Sequence, residues 1–245
     1  MQNPFGVHAP QGAFEDADSI GAMTTRVMVP FSSTSISKLD NTIRNAQQYG
    51  IRVIPSLICT SAVGQQTGPP SIPSEWVNFI KSIVERYDAD GRNDMQGLKY
   101  AVDEFQIENE WIRQWEGTTA QYVEHLKRTF SAIRTANPAA RVIASGVTGV
   151  DAFACVDGLL TEIEIGQTDA ERKTVTRAQI VKSPQYKLAR AKADVFFDTA
   201  RDFFDVADFH VYSTRPEEIG ACATWMLQQM SKRGYSKLLD CCEAA

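Results

Sequence analysis

Short apolar stretches alternate with longer segments of helical periodicity along almost the whole chain. Residues 51–58 are rich in β-branched side chains, as is typical of a strand covered on both faces. The segment after residue 120 carries apolar residues at helical spacing until Asn137-Pro138 ends it. Seven strand and helix rounds can be counted, and this alternation predicts a parallel sheet connected by helices.

The seven predicted strands cover residues 5–9, 25–30, 51–58, 100–108, 141–145, 206–212 and 237–242. Residues 151–183 are long and charged for a simple connection, which predicts an insertion on the loop face. Two helices are expected to begin at hydroxyl residues, one within 32–37 and one at Ser74, because hydroxyls can cap free backbone N–H groups.

Length and element order predict one domain over residues 1–245. The chain has 245 residues and 43% hydrophobic content, and a (β/α)8 TIM barrel uses roughly 250 residues. The sequence stops two residues after Glu243, while a closed eight-stranded barrel needs one more strand and helix. We therefore expect an α/β fold, a TIM barrel of about seven βα units that is truncated at its C-terminus.

Composition argues against several kinds of partner. The formal net charge is −5, and 25 Lys and Arg are scattered among 30 Asp and Glu, so nucleic acid is not expected. No stretch approaches the roughly 20 apolar residues that span a bilayer. The first ten residues lack the layout of a signal peptide, so the protein is either cytoplasmic or without its leader. Oligomeric state is left open.

Cofactor chemistry finds little support in the sequence. The five cysteines follow no metal-ligand spacing, the three histidines are scattered, and no Gly-rich turn connects a strand to a helix. A Schiff-base lysine belongs near the end of a barrel strand, whereas Lys99 and Lys237 lie at strand beginnings. No metal or cofactor is therefore expected.

An Asn-Glu pair ends the fourth predicted strand. Residues 105–111 read Phe-Gln-Ile-Glu-Asn-Glu-Trp, and catalytic groups of barrel enzymes lie at the C-terminal ends of strands. Neighbouring residues of a regular strand point to opposite faces. Asn109 and Glu110 can therefore face one site only if the strand twists or bulges there.

Other strands carry polar residues at comparable positions. The sixth strand ends in His210-Val-Tyr212, the seventh is followed by Glu243, and Arg26 lies in the second. As candidate catalytic carboxylates, Glu108 is the alternative to Glu110, and Asp240 is the alternative to Glu243. Aromatic or imidazole side chains that could line a cleft are Trp111, Trp115 and His8.

This arrangement resembles clan A of the (β/α)8 glycoside hydrolases, without indicating one family within it. The resemblance implies that Asn109 binds a sugar 2-hydroxyl, that Glu110 is the acid/base and that Glu243 is the nucleophile. It further implies that Arg26 hydrogen-bonds the nucleophile, and that the hydroxyl of Tyr212, in the His210-x-Tyr motif, reaches it.

The implied activity is retaining hydrolysis of O-glycosidic bonds in a β-linked glucoside, xyloside or mannoside oligomer or polymer. Retaining enzymes use two carboxyl groups roughly 5–5.5 Å apart. If Asp240 were the partner of Glu110, the separation could widen toward the roughly 6.5–9.5 Å of an inverting enzyme. Because enzymes that act on polysaccharide are usually exported, secretion is possible if the N-terminus is incomplete.

Other interpretations stand beside these assignments. A tryptophan after a strand is more often part of the packing than a sugar platform. His125, among polar residues of a helix, is expected to be a solvated surface residue. The alternative for the whole chain is a non-catalytic carbohydrate-binding protein or an inactive truncated barrel.

Overall fold

The computed structural model describes residues 6–7, 13–60, 64–166, 171–213 and 215–244. In chain order, the described elements are β1 Gly6–Val7, α1 Phe14–Ser19, β2 Thr24–Pro30, α2 Ser35–Gln48, β3 Arg52–Ile58, α3 Pro73–Arg86, β4 Glu104–Ile107, α4 Trp111–Gln114, α5 Thr119–Ala136, β5 Arg141–Ala144, α6 Val150–Val156, β6 Glu162–Ile165, β7 Lys173–Thr176, α7 Arg177–Ile180, α8 Pro184–Thr199, β8 Val206–Val211, α9 Pro216–Lys232 and β9 Leu238–Ala244.

The sheet confirms the predicted fold class. Within the described residues, seven parallel strands follow the order β1-β2-β3-β4-β5-β8-β9, with helices between them. This is an incomplete TIM-barrel-like α/β fold. The strands predicted fourth, sixth and seventh correspond to β4, β8 and β9.

Two compact units divide the chain. The first contains residues 1–109 and 125–143, and the second contains residues 110–124 and 144–245. The expected single domain stays a prediction.

In the first unit, parallel strands β2 and β3 pair from Thr24 opposite Arg52 to Pro30 opposite Ile58. The apolar periodicity of α2 and α3 places one face of each helix in the interior. The fully buried residues of these faces include Ile43, Ile80 and Ile83. Burial of such side chains stabilises the unit by about 1.5–3 kcal/mol each.

In the second unit, the predicted insertion is present as extra elements. Helix α6 is followed by the antiparallel pair β6 and β7 and by the short helix α7. Cys155, Ile163 and Ile180 form a small apolar cluster that covers one side of this pair. These residues are buried, so the insertion has a core of its own.

Some predicted boundaries are wrong. Residues 100–103 lie outside β4, since Val102 N–H donates to the carbonyl of Tyr87 at 2.8 Å instead of continuing the strand. Helix α2 begins within the predicted range, but Thr34, its N-cap residue, makes no side-chain cap hydrogen bond. The predicted cap of α3, Ser74, lies inside that helix, and Ile72 takes the N-cap position. Helix α3 begins instead at Pro73, whose fixed φ suits the first helical position.

Among the helices of the described residues, none is long and apolar enough to cross a bilayer.

Candidate active site

The chain leaves strand geometry directly after β4. Glu108 has φ of +67° and Glu110 has φ of +45°, both in the left-handed region that non-glycine residues seldom adopt. Each such residue costs of order 1–2 kcal/mol. The distortion that the Asn-Glu pair required is therefore present in the backbone.

Glu110 is buried, and four donors lie within hydrogen-bond distance of its carboxylate. Oε1 lies 3.3 Å from Nδ1 of His210 and 3.2 Å from the hydroxyl of Tyr212. Oε2 accepts from the guanidinium of Arg113 and from Nε2 of Gln114, the latter at 3.1 Å. Arg113 and Gln114 follow Glu110 by three and four residues, a spacing at which side chains meet on a helix.

These donors decide the charge of Glu110. Burial opposes ionisation and by itself would raise the pKa of the carboxyl. The hydrogen bond from His210, the positive charge of Arg113 and the hydrogen bond from Tyr212 outweigh it and lower the pKa to about 2. In the ligand-free protein, Glu110 is therefore an anion at neutral pH.

His210 carries a positive charge in the same surroundings. Burial would lower the pKa of its ring, but the hydrogen bonds with Asp208 and Glu110 and the charges of Asp208 and Glu243 raise it to about 9. Nε2 lies 3.1 Å from Oδ2 of Asp208, while Nδ1 faces Glu110. Both ring nitrogens therefore donate, as in an imidazolium.

A β-bulge in β9 aligns Glu243 with this histidine. Asp208 of β8 lies opposite Asp240, and His210 lies opposite Glu243, so three residues of β9 match two of β8. The backbone N–H of Cys242, within the bulge, donates to Oδ1 of Asp208 at 2.8 Å. Bulges re-aim side chains near active sites, and here the bulge sets the position of Glu243.

Glu243 and Glu110 belong to one cluster with His210. One atom of each side chain lies within 4.8 Å of the others. The hydroxyl of Tyr212 donates to Glu243 and also lies within hydrogen-bond distance of Glu110. A hydroxyl has a single proton, so Tyr212 can donate to only one of the two carboxylates at a time.

Arg26 and Asn109 are hydrogen-bonded to each other. Nη2 of Arg26 donates to Oδ1 of Asn109, and Nε donates to Oε1 of Gln106 on β4, both at 2.5 Å. Arg26 is only 5% exposed, so these charge-assisted bonds lie in the interior. The expected hydrogen bond from Arg26 to Glu243 stays a prediction.

The two tryptophans occupy packing positions. Trp111 is fully buried, and its ring stacks on Tyr122 with centroids 4.4 Å apart and contacts Phe196. Trp115 is 3% exposed and meets the same tyrosine edge-on. Because both rings face protein rather than solvent, the packing alternative describes them, and a role as a sugar platform does not. His8 lies outside the described residues.

His125 is not the solvated surface residue that the sequence predicted. It is buried, its Nε2 lies 2.9 Å from Oε1 of Glu108, and its ring lies over that of Trp76. The surrounding polar residues of α5 point elsewhere, and sequence spacing alone did not reveal that position 125 faces inward.

The two alternative carboxylates have other surroundings. Glu108 is fully buried and contacts His125 and the backbone N–H of Cys59. Asp240 accepts from the N–H of Cys241 and lies opposite Asp208 in the ladder. Neither residue belongs to the three-residue cluster described above.

Two groups of described residues have the composition of cation ligands. The first is Glu110, His210 and Glu243. A metal there would require a neutral imidazole, whereas the pKa of His210 is raised to about 9, so a proton competes effectively at neutral pH.

The second group is Asp88, Asp90 and Asp94 in the loop after α3. Their carboxylates accept from N–H groups of the same loop, such as that of Gly91 at 2.8 Å. These turn hydrogen bonds account for the acidic residues of the loop.

Sequence reasoning missed several residues of the site. Asp208 precedes His210 by two residues, and the period of a strand places both on one face. Arg113 and Gln114 could have been found from their helical spacing to Glu110. No sequence signal marks Gly146, where an added Cβ would lie 2.3 Å from the ring of His210.

The sequence matches no family model and no curated protein. Its structure is similar to that of a glucosidase from Croceicoccus marinus, with a TM-score of 0.65 and 13% identity over 98% of this chain and 50% of that one. A family 51 α-L-arabinofuranosidase from Bifidobacterium longum gives a TM-score of 0.56 and 10% identity over 96% of this chain and 49% of that one. An endo-β-1,4-mannanase from Thermotoga petrophila gives a TM-score of 0.54 and 12% identity over 98% of this chain and 62% of that one.

The chain therefore has the fold of TIM-barrel glycoside hydrolases. This confirms, at the level of the fold, the resemblance that the sequence indicated. The chain spans about half the length of the glucosidase and the arabinofuranosidase, and 62% of that of the mannanase.

Proposed function

We propose that this chain carries the catalytic residues of a retaining glycoside hydrolase, with Glu243 as nucleophile and Glu110 as acid/base. The observation that carries the proposal is the proximity of these carboxylates, since one oxygen of each lies within 4.8 Å of the other beside His210. A separation of this size suits direct attack by one carboxylate, since inverting enzymes leave room for a water at roughly 6.5–9.5 Å.

The proposed reaction has two displacements. Glu243 attacks the anomeric carbon, the bond to the leaving oxygen breaks, and Glu110 transfers a proton to that oxygen. Glu110 then takes a proton from water, whose oxygen attacks the anomeric carbon and releases Glu243 as a carboxylate. Two inversions give net retention.

The first step requires a proton on Glu110, which is an anion in the ligand-free protein. In that ligand-free state, the proton is on His210 instead, whose Nδ1 lies 3.3 Å from Oε1 of Glu110. We propose that bound substrate displaces the side chain of Arg113, which is 61% exposed, and excludes water. Both changes raise the pKa of Glu110, because they remove a positive charge and deepen burial.

Asn109 and Arg26 complete the proposal. Asn109 would bind the sugar 2-hydroxyl, a contact that strengthens in the transition state of glycosidases. Arg26 orients the amide of Asn109 by donating to its Oδ1, and in this proposal the N–H₂ group of the amide donates to the sugar oxygen.

The proposed substrate is a β-linked oligosaccharide or polysaccharide. Structural neighbours with this fold include the β-1,4-mannanase described above and fungal β-1,4-galactanases, the latter with a TM-score of 0.54 and 11% identity over 91% of this chain and 63% of those. Two carboxylates and water suffice for the chemistry, so the proposal requires no cofactor.

Covalent trapping tests the mechanism and the roles together. The 245-residue chain is incubated with a panel of 2-deoxy-2-fluoro β-glycosides carrying good leaving groups, and its intact mass is followed. We expect one glycosyl adduct, which peptide mapping places on Glu243 and which Glu243→Gln abolishes. An adduct on Glu110 would reverse the two roles.

Hydrolysis of the matching aryl β-glycosides separates the remaining alternatives. Turnover without any adduct, abolished in Asp240→Asn, would support an inverting mechanism. If the folded protein binds oligosaccharides but neither hydrolyses nor becomes labelled, the carbohydrate-binding alternative replaces the proposal.

A further inference from the structure

Glu108 and His125 form a buried pair that the proposed reaction does not use. Glu108 is fully buried and His125 is 4% exposed, and Oε1 of the first lies 2.9 Å from Nε2 of the second. The same Oε1 accepts from the N–H of Cys59 at 3.0 Å. Among the described residues, Oε2 of Glu108 has no hydrogen-bond partner. A buried carboxyl that is satisfied on one oxygen costs stability and calls for a reason.

The main chain of Glu108 is fixed from the same side. Its N–H donates to the carbonyl of Leu57 at 2.9 Å, and its carbonyl accepts from the hydroxyl of Ser56 at 3.1 Å. These contacts from the end of β3 hold a residue whose φ is +67°. A strained backbone of this kind persists only where its surroundings over-determine it, and it is common at functional sites.

Helix α5 contributes His125, the second residue of the buried pair. The ring of His125 lies 5.1 Å from that of Trp76, centroid to centroid. The indole N–H of Trp76 donates to the hydroxyl of Thr129, one helical turn after His125, at 2.8 Å. The imidazole is therefore confined between a tryptophan on α3 and the carboxyl of Glu108.

We propose that Glu108 and His125 are positioning residues that hold the neighbouring Asn109 in place for the sugar 2-hydroxyl. Asn109 directly follows Glu108. Arg26 donates hydrogen bonds to the side chains of both Asn109 and Gln106, the latter two residues before Glu108. The orientation of the Asn109 amide thus depends on the left-handed backbone at Glu108. This inference rests on the proposed function for its catalytic consequence, but not for its structural one.

Two substitutions at position 108 separate the carboxyl from the backbone conformation. Glycine adopts a φ of +67° without steric cost, so Glu108→Gly keeps the backbone conformation and removes the carboxyl that faces His125. Glu108→Gln keeps an acceptor for the N–H of Cys59 and for His125. His125→Phe keeps a ring against Trp76 and removes the nitrogen that faces Glu108.

The structural readout is the side-chain amide resonance of Asn109 in ¹H–¹⁵N spectra, assigned by its loss in Asn109→Asp. We expect Glu108→Gly and His125→Phe to shift or broaden this resonance relative to the wild type, and Glu108→Gln to leave it largely unchanged. The control is Gln47→Leu, which removes two partly buried hydrogen bonds, to the carbonyl of Tyr100 and from the N–H of Lys99, in the same unit. It should lower the melting temperature without moving the Asn109 resonance.

The kinetic readout uses an aryl β-glycoside that the wild-type chain hydrolyses. Misplacing a positioning group by about 1 Å can cost about 100-fold in rate, so we expect Glu108→Gly to lower kcat by that order with KM nearly unchanged. If Glu108→Gly and His125→Phe both keep the wild-type Asn109 resonance, the inference is wrong. If the resonance moves but trapping labels no glutamate, the proposed function fails and the positioning stands.

Discussion

Asp208 accepts a hydrogen bond from the backbone N–H of Cys242 across the boundary between β8 and β9. The same carboxylate faces Nε2 of His210 through its other oxygen. The buried side chain of Asp208 therefore has two effects. It holds the β-bulge that aligns Glu243, and it favours the charged form of His210 beside Glu110. Electrostatics and backbone geometry of the cluster are coupled at this residue.

Replacing Asp208 tests that coupling. Asp208→Asn removes the negative charge and presents an amide to Nε2, which favours a neutral imidazole. We expect the pKa of His210 to fall from about 9 by at least about one unit, which corresponds to about 1.4 kcal/mol. The measurement is an NMR titration of the ring. Asp240→Asn is the control, since Asp240 lies on the facing strand; an equal effect in both variants would contradict a specific role for Asp208.

Gly146 is expected to be essential for the position of His210. A Cβ at this residue would lie 2.3 Å from ring atoms of His210, a distance that side chains do not tolerate. Gly146→Ala should destabilise the protein by about 1–3 kcal/mol, as overpacking does, and abolish most of the proposed glycosidase activity. Urea denaturation and the aryl glycoside assay check both effects.

Gly220 provides the matched control for that substitution. It lies in α9, and apart from its chain neighbours and the backbone of that helix, no atom lies within 4 Å of an added Cβ. Gly220→Ala should stabilise the helix by roughly 0.5–1 kcal/mol and leave activity unchanged. Similar behaviour of the two variants would remove the steric explanation.

Arg113 should control the pH profile through Glu110. Its guanidinium lowers the pKa of a carboxyl that, in the proposed mechanism, is protonated for the first displacement. Arg113→Ala is therefore expected to raise the pKa of Glu110 from about 2 toward its ordinary value of 4.5. A larger protonated fraction at each pH above that range shifts the alkaline limb of kcat/KM to higher pH. Arg44→Ala, on the surface of α2, is the control, and an unshifted limb in Arg113→Ala would count against this role.

The charge of His210 also predicts how stability depends on pH. Its pKa is about 9 in the folded protein and 6.5 in an ordinary environment, so the folded state binds more protons between these values. The stabilisation is fully present below pH 6.5 and is lost as the pH rises through 9. The difference of 2.5 pKa units corresponds to at most about 3 kcal/mol.

Urea denaturation of the wild type and of His210→Gln at pH 6 and pH 9 measures this contribution. We expect the wild type to lose more stability than the variant over this range. Equal losses would show that the histidine does not carry the extra proton in the folded state.

Periodicity along the chain was sufficient for the fold, because strands and helices of a parallel α/β protein differ in composition and length. The seven strands, the insertion after residue 150 and the positions of Glu110, His210 and Tyr212 at strand ends followed from these local patterns. His125 shows where such patterns fail. Glu124, Lys127 and Arg128 beside it are charged and exposed, but one face of α5 meets Trp76 and Glu108, and His125 lies on that face.

The sequence by itself thus determined the order of elements and the residue types at the ends of the strands. The tertiary structure alone decided their charges and exact directions. The pKa of Glu110 depends on donors from α4 and β8, and the direction of Glu243 depends on a one-residue bulge whose N–H bonds to Asp208. His210 lies 100 residues from Glu110 and Asp208 lies 34 residues from Cys242, so these contacts join groups that are close only in space, and no local pattern encodes them.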